Sequence, residues 1–263
     1  HLRRGCACGR HLEPRRQDAI IGTSKSDRMT SSTKSNLLIT GGLLVLSFIP
    51  VVAGAARVHQ LASGAEITPE NARFFAMPLP VILHIMSSVV FSVLGAFQFA
   101  PAFRRRHPIW HRNAGRALLP CGFIAALSAL WMTQFFPLGK LVGPLVADFD
   151  GRSLYIVRLV VGSTMVVFLS LGVWKIYRRD FRSHGAWMIR AYALGLGAGT
   201  QAFTHIPWFL FPEIRGELAR TLCMAAGWLI NAAIAEWLIA RASHDESDGT
   251  AIENGLMSRS LVR

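Results

Sequence analysis

Charge is scarce in this sequence, and its absence follows a pattern. Only 16% of the 263 residues are Asp, Glu, Lys or Arg, against ~25% in an ordinary soluble domain. The stretch Ala117–Pro137 carries no charge at all. Cysteine is sparse too. Of the four, Cys6 and Cys8 lie near the start while Cys121 and Cys223 lie inside apolar runs, so no disulfide framework and no C-x2-C zinc spacing can be read from them. There is no P-loop, no metalloprotease motif and no nucleophile–base constellation. Acids are missing where bases gather: Arg104-Arg105-Arg106-His107-Pro108-Ile109-Trp110-His111-Arg112-Asn113-Ala114-Gly115-Arg116 holds five arginines and no carboxylate. In a soluble protein the net charge of +13 would suggest nucleic acid. Here the bases sit in short turns between apolar runs, so orientation in a bilayer is the better explanation.

What is present is a series of apolar runs near the ~20 residues a spanning helix needs. The chain is organised around the hairpin Pro80–Pro137, whose two arms flank that basic turn. An all-α, polytopic transmembrane bundle is expected, with spans at Asn36–Ala56, Pro80–Phe103, Ala117–Pro137, Leu154–Trp174, Ala186–Phe211 and Leu218–Ala240. The first span competes with a signal-peptide reading, in which Pro50 and Ala53-Gly54-Ala55 precede cleavage and five spans remain. Residues 1–35 read as a disordered basic tail. Met29 is the first methionine, and an upstream translation artefact is the alternative to native sequence for residues 1–28. Residues 36–240 form the membrane domain, and 241–263 a disordered tail.

The connections alternate in charge. Two of them, 104–116 and 175–184, hold nine Lys/Arg and one acid; the other three hold six of each. Short basic loops stay on the cytoplasmic side. Six spans then put both termini in the cytoplasm, in a bacterial plasma membrane, with anionic lipid headgroups as partners of the basic turns.

Intramembrane ionisable groups are the functional candidates, because burying them in lipid is costly. On the outer side these are His84, Arg158 and His205. On the inner side they are His107, His111, His184, Arg190 and Glu236, with Arg190 and Glu236 at similar depth and able to pair. Histidines at matched depth on facing helices suit a bis-imidazole b-type haem. The candidate axial pairs are His84 with His205 and His111 with His184, and Arg112, Arg158 or Arg190 would hold propionates. Two other readings compete. One is a small-solute or proton transporter with His84, Arg158 and His205 as its outer gate; the other is a non-catalytic scaffold gripping lipid. Gly195, Gly197 and Gly199 could pass for a nucleotide loop, but no strand precedes them and close helix packing is expected instead. Gln98, Gln201 and Asn231 are expected to bond between helices, and Pro207 to distort the fifth span.

Two segments carry a resemblance. His111-Arg112-Asn113-Ala114-Gly115-Arg116, preceded by Phe97-Gln98-Phe99 and Arg104-Arg105-Arg106, resembles the H-R-x-x-G-R segment of a predicted-membrane-protein family, domain of unknown function 2306. His184-Gly185-Ala186-Trp187-Met188-Ile189-Arg190 resembles that family's H-x-x-W-M-I-R segment. The similarity extends over roughly His84 to Trp208. It implies a polytopic bacterial-type membrane protein with no established activity. It also implies a shared inner site of His111 and His184, supported by Arg112, Arg116, Trp187 and Arg190.

Overall fold

The structure is a computed structural model. It describes the backbone of residues 15–68, 71–136 and 151–260, and side chains between 37 and 244 within those ranges, residue 102 excepted. The described residues contain helices and no strand. In chain order the helices are α1 (Arg15–Ala62), α2 (Ala72–Ala76), α3 (Pro78–Gln98), α4 (Pro101–Arg106), α5 (Pro108–Phe135), α6 (Arg152–Tyr177), α7 (Phe181–Gly195), α8 (Gly197–Thr204), α9 (Ile206–Leu210) and α10 (Glu217–Ser260), with a 3-10 turn at Pro212–Ile214 before the last.

Five of these are long and apolar enough to cross a membrane: Leu37–Ala62, Pro78–Gln98, Pro108–Phe135, Arg152–Tyr177 and Glu217–His244. The fifth expected span, Ala186–Phe211, is not one helix. It breaks at Leu196, between glycines that favour helix poorly, and again at His205, two residues before Pro207. A proline ring cannot follow a continuous helix without losing a hydrogen bond. The result is three helices end to end. Helix α1 reaches back to Arg15 and α10 runs on to Ser260, into stretches read from sequence as tails; extending an existing helix costs little per residue. Residues 1–14 and most of the connection 138–153, with Lys140, Asp148 and Asp150, lie outside the described residues.

Neighbouring helices close a ring, in the order α1, α3, α5, α6, α10, α8 and back to α1, with α7 packed on α6 and α10. Small residues make this possible, because helix pairs in lipid associate by close backbone approach. A Cβ on Gly122 of α5 would meet the Phe91 ring of α3 at 2.8 Å, and one on Gly162 of α6 would meet Leu130 of α5 at 2.7 Å. The core is a cluster of Phe91, Leu118, Met165, Leu169, Tyr192 and Leu196. Large apolar side chains such as Leu37, Val45, Phe48, Leu127, Val160 and Leu229 face outward, the surface a lipid-embedded bundle should have.

The second basic turn is built by local rules. Helix α6 ends through bonds from the Arg178 N–H to the Trp174 carbonyl (3.1 Å) and from the Asp180 N–H to the Lys175 carbonyl (2.9 Å), with Arg179 at φ 57°. Asp180 then caps α7. Its carboxylate accepts the Ser183 N–H and the Lys175 ammonium, each at 3.0 Å. Hydrogen bonds from Ser183, and then Lys175, hold the Asp180 carboxyl at about 2, below the ordinary value of ~3.9. A lowered folded-state value contributes stability above the ordinary value and loses it as pH falls toward the folded one. Hydrogen exchange of the Ser183 and His184 amides should therefore be flat from pH 7 to about 4 and rise below it, once corrected for intrinsic rates. A flat profile in Asp180→Asn would complete the assignment; a flat profile in the native chain would refute it.

Candidate functional site

Inside the ring lies a cavity of about 630 Å³. Its lining extends from the middle of the bundle toward the end opposite the two basic turns, where Arg73, Phe74 and Phe136 contribute. Its walls come from α1 (Ser47, Pro50, Gly54), α3 (His84, Ser88), α5 (Ala125, Ala129), α6 (Tyr155, Arg158), the α7–α8 break (Leu196, Gly199) and α10 (Met224, Trp228). Two arginines and one histidine line it, Arg73, Arg158 and His84, and no Asp or Glu is among the described lining residues.

The mouth is aromatic and basic. Asn71 folds the connection there: its side-chain oxygen accepts the Thr68 N–H at 2.7 Å, and its amide donates to the Glu66 carbonyl at 2.9 Å. Arg73 and Phe74 of α2 line the cavity at this end. The Arg57 and Arg73 guanidinium groups each lie near the Phe74 ring, 4.3 and 4.8 Å from its centroid, and the ring is edge-on to Phe136 at 6.0 Å. The Arg57 guanidinium also donates to the Gln60 side-chain oxygen. Tyr155 Oη donates to Gln134 Oε1 at 2.7 Å.

The polar groups within the walls are held by neighbours. His84 Nδ1 lies 2.9 Å from the Ala125 carbonyl oxygen and 3.3 Å from Ser128 Oγ. A carbonyl only accepts, so the proton is on Nδ1 and Nε2 is the ring's other polar atom. Arg158 Nη2 is 3.8 Å from Met224 Sδ, a weak acceptor. Gln201 Nε2 donates to the Met224 carbonyl at 3.1 Å, Thr204 Oγ1 to the Cys223 carbonyl at 2.7 Å, and Asn231 Nδ2 to the Ala193 carbonyl at 3.0 Å. Gln201 and Asn231 thus bond between helices, as their spacing suggested. The Gln98 amide nitrogen, by contrast, is buried with no hydrogen-bond partner among the described residues.

The floor is a packed layer. Tyr192 is buried and its hydroxyl donates to the Ser92 carbonyl at 2.6 Å. Its ring lies 5.7 Å from Phe91 and 4.7 Å from Phe99, and Gly95 leaves room for it. The three glycines around the break serve three contacts. Gly195 faces Phe91, Gly197 faces the Trp228 indole, and Gly199 faces the Leu46 backbone of α1. They are packing glycines.

His205 does not line the cavity. Its Nδ1 faces the Gln201 carbonyl of its own helix at 2.9 Å, and its ring rests near Phe209, centroids 6.4 Å apart. Among the described residues the cavity therefore has one imidazole in its lining, and the expected His84–His205 pair is not brought together there. No group of three His, Cys, Asp or Glu positioned for a metal ion occurs among the described residues.

At the other end the two basic turns meet. His111 on α5 and His184 on α7 are near enough for their charges to interact. His184 Nδ1 reaches the Gly172 carbonyl of α6 at 2.8 Å, while His111 Nδ1 is buried without a partner among the described residues. Arg190 and Glu236 form the expected pair, Nε to Oε1 at 2.6 Å and Nη2 to Oε2 at 2.8 Å, with the guanidinium 4.6 Å from the Trp187 ring centroid. Both H-R-x-x-G-R and H-x-x-W-M-I-R thus lie at one end of one bundle. The family model described as predicted membrane protein (DUF2306) matches residues 81–239, more than half of the chain. The chain belongs to this family. No curated protein and no solved structure matches it. The DUF2306 match takes in α3 and much of α10 but not α1, so one wall of the cavity is built from residues outside it. Arg112 and Arg116 of the first family motif are exposed, and Arg116 Nη1 reaches its neighbour Asn113 Oδ1 at 3.5 Å.

Sequence reasoning singled out His84 and Arg158, which the bundle brings to one cavity. It missed Arg73, Tyr155, Trp228 and the whole contribution of α1. Arg73 lies in a connection whose charges balance, which hid it; the stripe Ser47, Pro50, Gly54 on α1 was the available signal.

Proposed function

We propose that this DUF2306 protein carries a small solute across the plasma membrane, and that the cavity is its binding site. The observation behind this reading is a helix broken in mid-membrane against a solute-sized space. Irregular backbone at membrane depth is tolerated where it is buried or lines a cavity, and broken helices of this kind mark transporter sites. The space falls within the ~300–1,000 Å³ typical of small-molecule sites. Access from one end with a packed floor is the arrangement of a carrier open to one side. With the basic turns in the cytoplasm, the opening faces outward and both termini face inward. Arg104, Arg105, Arg106 and Arg112 are exposed at the level of anionic headgroups, which would anchor that side.

Thiol labelling tests the site. In a cysteine-free background, Ser88→Cys lies in the cavity wall and Ala191→Cys in the closed core. An anionic, membrane-impermeant methanethiosulfonate added to the outer face should modify the first at least tenfold faster than the second. Equal rates, or no labelling of Ser88→Cys from either face, would remove the cavity as a working site.

A further inference from the structure

We infer that the solute is a neutral molecule with a single hydroxyl on an apolar body, an alcohol or a phenol, and that His84 Nε2 accepts its hydrogen bond. This inference rests on the cavity being the working site, and it adds the chemistry that site selects.

One polar atom of the wall is left for a ligand. His84 makes its hydrogen bonds through Nδ1, to the Ala125 carbonyl and toward Ser128 Oγ on α5. Those bonds hold a proton on Nδ1 and fix the ring's rotation, so the neutral ring offers a lone pair at Nε2. Nε2 has no partner among the described residues, yet protein does not seal it off. The space beside it is the cavity. Ser88 lies one turn further in on the same face of α3 and lines the same space; its hydroxyl can donate or accept. By helix rise the two residues lie ~9 and ~15 Å from the start of α3. Around them the wall is carbon, from Ile85, Val89, Ala129 and Val161. Arg73 and Arg158 line the cavity too, but both have partners of their own in the protein, so the selection does not fall to them.

Each feature excludes a class of ligand. A carboxylate has only lone pairs to set against Nε2, so an anion leaves the ring nitrogen unsatisfied. An amine, charged at neutral pH, brings a donor. It finds no Asp or Glu among the described lining residues, and an uncompensated charge at membrane depth is costly. A plain hydrocarbon supplies no donor and strands an acceptor taken out of water. A sugar brings more hydroxyls than His84 and Ser88 can meet, and the rest would face carbon. A single hydroxyl fits. Its proton goes to Nε2, its oxygen can accept from Ser88, and its apolar body lies against the carbon wall. A site built to bond one hydroxyl rejects the analogue that lacks it steeply.

Equilibrium dialysis of radiolabelled β-naphthol against the full chain in nanodiscs tests this, with empty nanodiscs giving the share taken up by lipid alone. The comparator is the methyl ether of β-naphthol, the same body with its donor capped. Naphthol should bind saturably above the empty discs, and the ether at least tenfold more weakly. His84→Phe should weaken naphthol at least tenfold. His205→Phe, which removes an imidazole outside the cavity, should change nothing. Equal binding of naphthol and its ether in the unaltered protein would overturn the assignment without any variant having to fold, and so would the absence of saturable naphthol binding. Unchanged naphthol affinity in a folded His84→Phe would overturn it too. Each of these results leaves the cavity reading standing, since that reading falls only on the Ser88→Cys labelling.

Discussion

Gly199→Val should yield almost no folded protein after detergent extraction, and Gly199→Ala should lower stability by about 1–3 kcal/mol. The reason is what a Cβ would strike. At Gly195 and Gly197 the nearest atoms belong to the Phe91 and Trp228 side chains, which can turn. At Gly199 the nearest atom is the Leu46 backbone carbonyl oxygen, which moves only if α1 moves. Separating α1 from α8 would open the ring beside the cavity. The control lies on the same helix as Leu46. A Cβ at Gly42 meets nothing within 4 Å, so Gly42→Ala should be neutral or stabilising by up to ~1 kcal/mol through helix propensity. Unfolding in mixed micelles of rising SDS fraction gives the comparison. Equal midpoints for Gly199→Ala and Gly42→Ala would mean that α1 and α8 do not touch as described.

The second large effect is expected at Glu236. Removing one member of an enclosed ion pair strands the other, at ~3–5 kcal/mol when burial is complete. The Glu236 side chain is 56% exposed and Arg190 22%, so a loss of about 2 kcal/mol is the scaled expectation for Glu236→Leu. The exposed part of Glu236 lies nineteen residues along α10 from Glu217, ~28 Å by helix rise, near the headgroups of the basic side. The double variant Arg190→Leu/Glu236→Leu should regain most of the loss, because it leaves no stranded charge. Were the double variant as unstable as the sum of the two singles, the pair would not be coupled and the contact would carry no stability of its own.

How much of this was legible beforehand depended on whether the signal was local. The basic turns and apolar runs are properties of short windows, and they gave a helical membrane bundle directly. The Arg190–Glu236 pair was legible because two ionisable residues at equal depth in lipid have few other options. The break at Leu196 was not. Gly195, Gly197 and Gly199 were recognised as packing residues, but a window average over Ala186–Phe211 reads them as part of one apolar run. Only the positions of Phe91, Trp228 and Leu46 around them show why the helix parts there. His205 was grouped with His84 by depth alone. Rotation about the helix axis decides what a side chain faces, and the bends at Leu196 and His205 reset that rotation. The cavity itself belongs to eight helices at once, so no stretch of sequence carries it.

The bond from the Tyr192 hydroxyl to the Ser92 carbonyl has an electrical consequence. It occupies the polar atom of the ring, and the carbonyl it reaches, in a layer otherwise made of aromatic carbon. A water file descending from the mouth would meet the Phe91, Phe99 and Tyr192 rings there, whose carbon faces continue its chain poorly. Protons need such a file to hop, so this aromatic layer is where a chain of waters running down from the cavity would be interrupted.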